Sequence, residues 1–116
     1  SVSSSADGQL DIDADTEVEI TATTVDINGD VEISGTTTQT GVSTSAAKDV
    51  FNAGLSVKNG SSSAGFIEFF EDSDNGTNKV TLIGPASTSD VTLTLPTTTD
   101  TIAVAGDITA LAIALG

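Results

Sequence analysis

The sequence predicts an all-β chain: an elongated, intertwined trimeric β-fibre with a β-helix- or β-prism-like shaft, followed by a small antiparallel β module. Three observations predict it. In the first third, an acid stands between two branched aliphatics four times, in Leu10-Asp11-Ile12, Val18-Glu19-Ile20, Val25-Asp26-Ile27 and Val31-Glu32-Ile33, and the starts step by 8, 7 and 6 residues. Alternate strand residues point to opposite faces, so each triplet turns two aliphatics inward and one carboxylate outward, one short strand per step of a repeating rod. Second, core material is scarce, with 37% hydrophobic residues, many of them Ala and Val, and 3% aromatic. Burial yields roughly 25 cal/mol per Å² while ordering a residue costs about 1–2 kcal/mol, so several chains sharing one axial core is the natural solution. Third, short apolar runs alternate with turn signals through the second half, as in a small sheet.

Residues 1–6 read as a flexible lead-in. The acidic β-repeat shaft spans 7–35 and holds nine acids and no base between Asp7 and Glu32. Asn28-Gly29, between two rungs, is a pair favoured where a tight turn needs positive φ. Residues 36–48, mostly Thr, Ser and Ala, have little apolar periodicity and read as a linker or irregular crossover. The small β module spans 49–105, with expected strands at Gly54 to Lys58, Phe66 to Phe70, Lys79 to Ile83, Val91 to Leu95 and Thr101 to Ala105. Turn signals at Asn59-Gly60, Asn75-Gly76, Gly84-Pro85 and Pro96 bound them. Phe66, Phe69 and Phe70 are expected to anchor its core, with Phe51 just upstream. The apolar tail, 106–116, needs a partner, as a final strand or as a short helix on the oligomer axis.

Seventeen acids against three lysines (Lys48, Lys58, Lys79) and no arginine give a formal net charge of −14. Nucleic acid is not expected as a partner, because binding needs Lys and Arg to displace the phosphate counterions. An anionic membrane is disfavoured for the same reason, and the apolar run from Ile108 to Leu115 falls short of the roughly 20 residues a spanning helix requires. No membrane insertion is expected. Cysteine is absent, so no disulfide framework exists and the redox compartment is not legible. Ser1 in place of Met reads as a processed chain or a piece of a longer one, and without a positively charged n-region and apolar core no signal peptide is expected within these residues.

The run from Phe66 to Leu82 (FIEFFEDSDNGTNKVTL), then Gly84-Pro85-Ala86 and Val91-Thr92-Leu93-Thr94-Leu95-Pro96, resembles a recurrent stretch in tail-fibre-like structural proteins of bacteriophages, notably those of marine bacteria. That stretch pairs an aromatic strand and an E-D-x-D-N-G turn with a Thr-Leu-Thr-Leu-Pro strand, and ends in a Gly-Thr-apolar strand and Asp-Ile-Thr. Here Asp100-Thr101-Ile102 replaces Gly-Thr, while Gly106-Asp107-Ile108-Thr109 keeps the ending. The acidic repeat resembles shaft segments of the same proteins, so the likeness covers most of residues 7–110. It implies a non-enzymatic virion structural protein, a homotrimeric fibre or spike on the surface of the particle, with other virion proteins as partners. A head decoration or fibre protein, a host-binding adhesin module and a self-assembling extracellular filament subunit are the alternatives. The adhesin alternative takes a host-surface glycan or protein through the loops near Asn59 to Ser63 and Ser73 to Asn78.

No catalytic, cofactor-binding or metal residues are assigned, and no cofactor is expected. Paired carboxylates serve glycoside cleavage, but the chain has no Trp or Tyr to stack on a sugar, and no His or Cys for a nucleophilic triad. The carboxylates therefore read as a solvated surface. Counted from Asp72 as an EF-hand, positions six and twelve hold Thr77 and Ile83 in place of Gly and Glu, so Asp72 to Gly76 reads as a hairpin turn. Asp11, Asp13 and Asp15 share one strand face at intervals of about 7 Å, too far apart for one chain to wrap a cation. Autocatalytic Lys–Asn cross-linking finds no supporting spacing around the three lysines. Asn59-Gly60-Ser61 and Asn75-Gly76-Thr77 match the glycosylation pattern but also read as turns.

Overall fold

The computed structural model describes residues 8–115, so the expected lead-in at 1–6 lies outside the described residues. The chain divides into two compact units, residues 1–48 and 49–116.

In the first unit the backbone bends at Gly8, Asp15-Thr16, Thr23, Gly29, Gly35, Gly41 and Ala46-Ala47, and no helix or strand forms among the described residues. The strands expected at the four acidic triplets are therefore absent from the single chain. A strand is defined by a hydrogen-bonded neighbour about 4.8 Å away, and a lone rung has none. The alternation that motivated them survives in local contacts. Gln9 Nε2 donates to Asp11 Oδ1 at 2.6 Å, and Thr21 Oγ1 donates to Glu19 Oε1 at 3.2 Å. Both pairs are two residues apart, on the carboxylate side of a rung. The tight turn expected at Asn28-Gly29 is corrected to an open bend: Gly29 takes no left-handed φ, and a Cβ there would meet nothing within 4 Å.

The second unit is built on a hairpin of β1 (Phe66–Phe70) and β2 (Lys79–Ile83), antiparallel, with Phe66 opposite Ile83, Glu68 opposite Thr81 and Phe70 opposite Lys79. Both strands are rich in aromatic and β-branched residues, which favour this pairing. The ladder runs one residue beyond each end, through Gly84 N to Gly65 O and Glu71 N to Asn78 O, both 3.0 Å. Between the strands, Asn75 N donates to Asp72 O at 2.9 Å, and Gly76 takes φ 137°, a conformation that side chains resist. The Glu71 carboxylate then closes the loop by accepting from Asn78 N at 3.0 Å. Glu71→Ala is expected to cost about 1 kcal/mol and to speed hydrogen exchange at the Asn78 amide. Glu71→Gln, which keeps an acceptor oxygen, is expected to restore most of the protection.

A smaller turn precedes the hairpin, with Asn59 bridged to Ser63 around Gly60 at φ 71°. It brings the chain back so that Gly65 lies against Val57. A Cβ on Gly65 would overlap the Val57 carbonyl, whose carbon is 2.6 Å away, and would sit 3.2 Å from Lys58 N. Glycine is required here by backbone-to-backbone approach.

Three expected strands do not form: Gly54 to Lys58, Val91 to Leu95 and Thr101 to Ala105. Val91, Leu93 and Leu95 keep the alternation of a strand but lie beside no neighbour that would supply a ladder. The tail resolves as a helix, α1 (Ala105–Leu115), so the described chain is not all-β. Ala and Leu are strong helix formers, and Asp107 in the first turn complements the positive end of the helix dipole. The helix opens with Asp107 N and Ile108 N both donating to Val104 O, at 3.1 and 3.2 Å.

No described residue is buried, hydrophobic or polar. The core expected around Phe66, Phe69 and Phe70 is corrected accordingly: the three rings stand on the hairpin, 38%, 58% and 61% exposed. Two strands have one face each side and nothing to close over either, which is why an isolated hairpin is marginal in water.

Candidate interaction surfaces

The register of the hairpin sorts its residues into two faces of different chemistry. One face carries Ile67 and Phe69 from β1 with Leu82 and Val80 directly opposite on β2. All four are apolar and all four are exposed, from 39% at Ile67 to 70% at Val80. Covering such side chains is worth about 1.5–3 kcal/mol each, so this face is strongly biased toward a partner.

The opposite face is mixed. Phe66, Glu68 and Phe70 alternate along β1 against Ile83, Thr81 and Lys79. Lys79 reaches diagonally to pair with the Glu68 carboxylate, and its Nζ stands 5.5 Å from the centroid of the Phe70 ring. Glu68, its side chain 29% exposed, is less accessible than the Phe residues around it. The lysine stem and the Phe70 ring partly shield the ion pair, while Phe70 and Ile83 on the same face stay exposed.

Two open concavities flank the hairpin. One, of about 610 Å³, lies between Ser61 to Ala64 and Ile83 to Ala86. Its lining holds hydroxyls, backbone and small apolar groups, with no ionisable side chain to move a proton. The other, of about 300 Å³, follows the Phe69, Phe70 and Glu71 edge against Asn78, Lys79 and Val80. Of the loops singled out for adhesion, Asn59 to Ser63 borders the first, and Ser73 to Asn78 includes Asn78 at the edge of the second.

The helix α1 adds a second apolar surface. Ile108 and Leu115 are seven residues apart and share one side, while Ile113 falls nearly opposite; all three are exposed. A helix with exposed aliphatics on opposite sides needs cover from a partner, and one of 11 residues is too short to be stable alone in water.

In the first unit, the eight aliphatics of the four triplets are uniformly half-exposed, between 51% at Val18 and 68% at Ile20. No rung is better covered than another. Asp11, Asp13 and Asp15 are exposed beside them, and no group of three or more acidic side chains converges on a common point among the described residues. Among those residues no helix is long and apolar enough to cross a membrane.

Sequence reasoning locates the residues of both strands but not the two-faced character of the hairpin, which depends on the register. The signal was available: in FIEFF and KVTLI the only charged residues, Glu68 and Lys79, fall on the same face once Phe70 pairs with Lys79. The chain matches no protein-family model, no curated protein and no solved structure.

Proposed function

We propose that the chain is a non-enzymatic structural protein of a bacteriophage particle, assembled as a homotrimeric fibre or spike and displayed on the virion surface, as in a tail fibre. One observation supports the shared-core part of this reading above all others. The chain exposes 11930 Å², about twice the ~5,800 Å² expected of a compact monomer of its 11.5 kDa mass. Surface of that extent, with aliphatics half-covered at every rung, fits a subunit whose core is completed by other copies of itself. The virion assignment rests on the resemblance carried by Phe66 to Pro96 and on the acidic repeat.

The mechanism is mechanical. The Val, Ile and Leu of each rung meet those of two other chains across a common axis, and each rung gains the ladder partners it lacks alone. The outward carboxylates and threonines hydrate the rod, and their like charge opposes side-by-side clumping of strand edges. The apolar hairpin face and α1 are covered in the same assembly or by a neighbouring virion protein.

Native mass by light scattering, with electron micrographs of the same sample, tests this. The expected result is a discrete species of three 11.5 kDa chains. A stable monomer overturns the shared core, and open-ended polymers point instead to a filament subunit. Saturable binding of the isolated chain to host cells would favour the adhesin alternative.

A further inference from the structure

The bends of the first unit do not stop where the acidic triplets stop. Besides the one at Ala46-Ala47, they fall at Gly8, Asp15-Thr16, Thr23, Gly29, Gly35 and Gly41, and from Thr23 to Gly41 they are six residues apart. Two residues after each bend stand Leu10, Val18, Val25, Val31, Thr37 and Ser43; four after, Ile12, Ile20, Ile27, Ile33, Gln39 and Ser45. The residue between is Asp11, Glu19, Asp26, Glu32, Thr38 or Thr44. The phase is unbroken over six steps, although the aliphatics at these two positions end at Ile33; Val42, the one aliphatic between Gly35 and Ser45, falls one residue after a bend and is exposed. The compact unit also continues past Gly35, to Lys48.

We infer that residues 35–45, which composition presents as a linker, are two further rungs of the shaft, with polar side chains in the positions that face the other copies of the chain. Thr37, Gln39 and Ser43 occupy there the places that Val31 and Ile33 hold one step earlier. The occupant opposite them is the same segment of a second and a third copy, because an unbroken phase carries the axis of the aliphatic rungs forward. Gln39 already brings its own partner: its Nε2 donates to Gly41 O at 3.2 Å, at the next bend. A polar layer within an otherwise aliphatic seam sets alignment, since any slip by one rung would place Thr37 and Gln39 against Val and Ile. The inference rests on the trimeric shared core proposed above.

The absence of cysteine makes the test direct. Thr37→Cys and Thr38→Cys chains are assembled reduced, sized by light scattering, oxidised and run on a non-reducing gel. Three inner thiols meet near the axis within disulfide reach, so Thr37→Cys is expected to give about two-thirds of its chains as covalent dimers, one thiol of three being left over. Thr38→Cys, on the outer side, is expected to stay uncrosslinked. Equal cross-linking of both, cross-linking of Thr38→Cys alone, or neither in an intact trimer would overturn the inner-rung assignment. A monomeric mass for both chains would overturn the trimeric reading itself, which separates the two failures. The alignment role is read from Thr37→Val combined with Gln39→Ile: a spread of masses and staggered assemblies is expected, and a uniform three-chain species overturns that role.

Discussion

Ile27→Asp is expected to leave the protein as separate chains. Ile27 is one of the eight half-exposed rung aliphatics, and in the assembly each copy would bring a new carboxylate to a shared axis. An unpaired charge taken out of water costs several kcal/mol, and three of them meeting at one level also repel each other. The lost burial of the isoleucine adds about 2–3 kcal/mol per chain. Ile20→Asp acts one rung earlier and should behave alike. Light-scattering mass is the readout, with Asp26→Asn as the control, since it alters only the outer side and should assemble as the parent does. A soluble trimer of unchanged melting temperature from either isoleucine variant would sink the shaft.

Gly65→Ala is expected to open the base of the hairpin. The added Cβ cannot be accommodated by a rotamer change, because what it meets is the Val57 carbonyl and the Lys58 nitrogen, both backbone. Overpacking of this kind typically costs about 1–3 kcal/mol even in a well-supported core, and a two-stranded hairpin has little in reserve. The Gly84 amide, which donates to Gly65 O, should lose its protection from hydrogen exchange. Gly84→Ala provides the comparison. A Cβ there would lie 3.6 Å from Ala64 Cβ and 3.7 Å from Gly65 O, ordinary contact distances, so near-parental exchange is expected elsewhere in the hairpin. Equal protection in both variants would show that Gly65 is not held against Val57 in solution.

Where strands form in the single chain, the residues announced them. Phe66 to Phe70 and Lys79 to Ile83 are rich in aromatic and β-branched residues, and the acidic loop between them returns the chain on itself, so each strand finds its partner nearby in sequence. The triplets from Leu10 to Ile33 have as clear an alternation, yet form no ladder alone. Alternation reports which side is apolar; it does not supply a hydrogen-bonded neighbour. The same lack defeats Val91 to Leu95. At the tail, Thr101 to Val104 forms neither strand nor helix, while Ala105 onward follows the helical preference of Ala and Leu. The candidate surface was half legible: its four apolar residues could be named, but their separation from the Glu68–Lys79 face required the register. The bends at Gly35 and Gly41 were hidden because Thr and Ser replace the aliphatics that make periodicity visible.

The bends at Gly29, Gly35 and Gly41 have a bearing on inheritance. None of these glycines takes a left-handed φ, and each would leave a Cβ in open space, so no unique turn chemistry anchors any one step to its place. A backbone that turns every six residues on ordinary dihedrals is indifferent to how many such steps it contains. An insertion or deletion of six codons between Thr23 and Gly41 adds or removes one step and returns the reading phase of every later residue unchanged. Length can therefore change in whole steps, and the steps of eight and seven residues from Gly8 to Thr16 and from Thr16 to Thr23 show that a step can also lengthen at its bend and still place the next aliphatics two and four residues on.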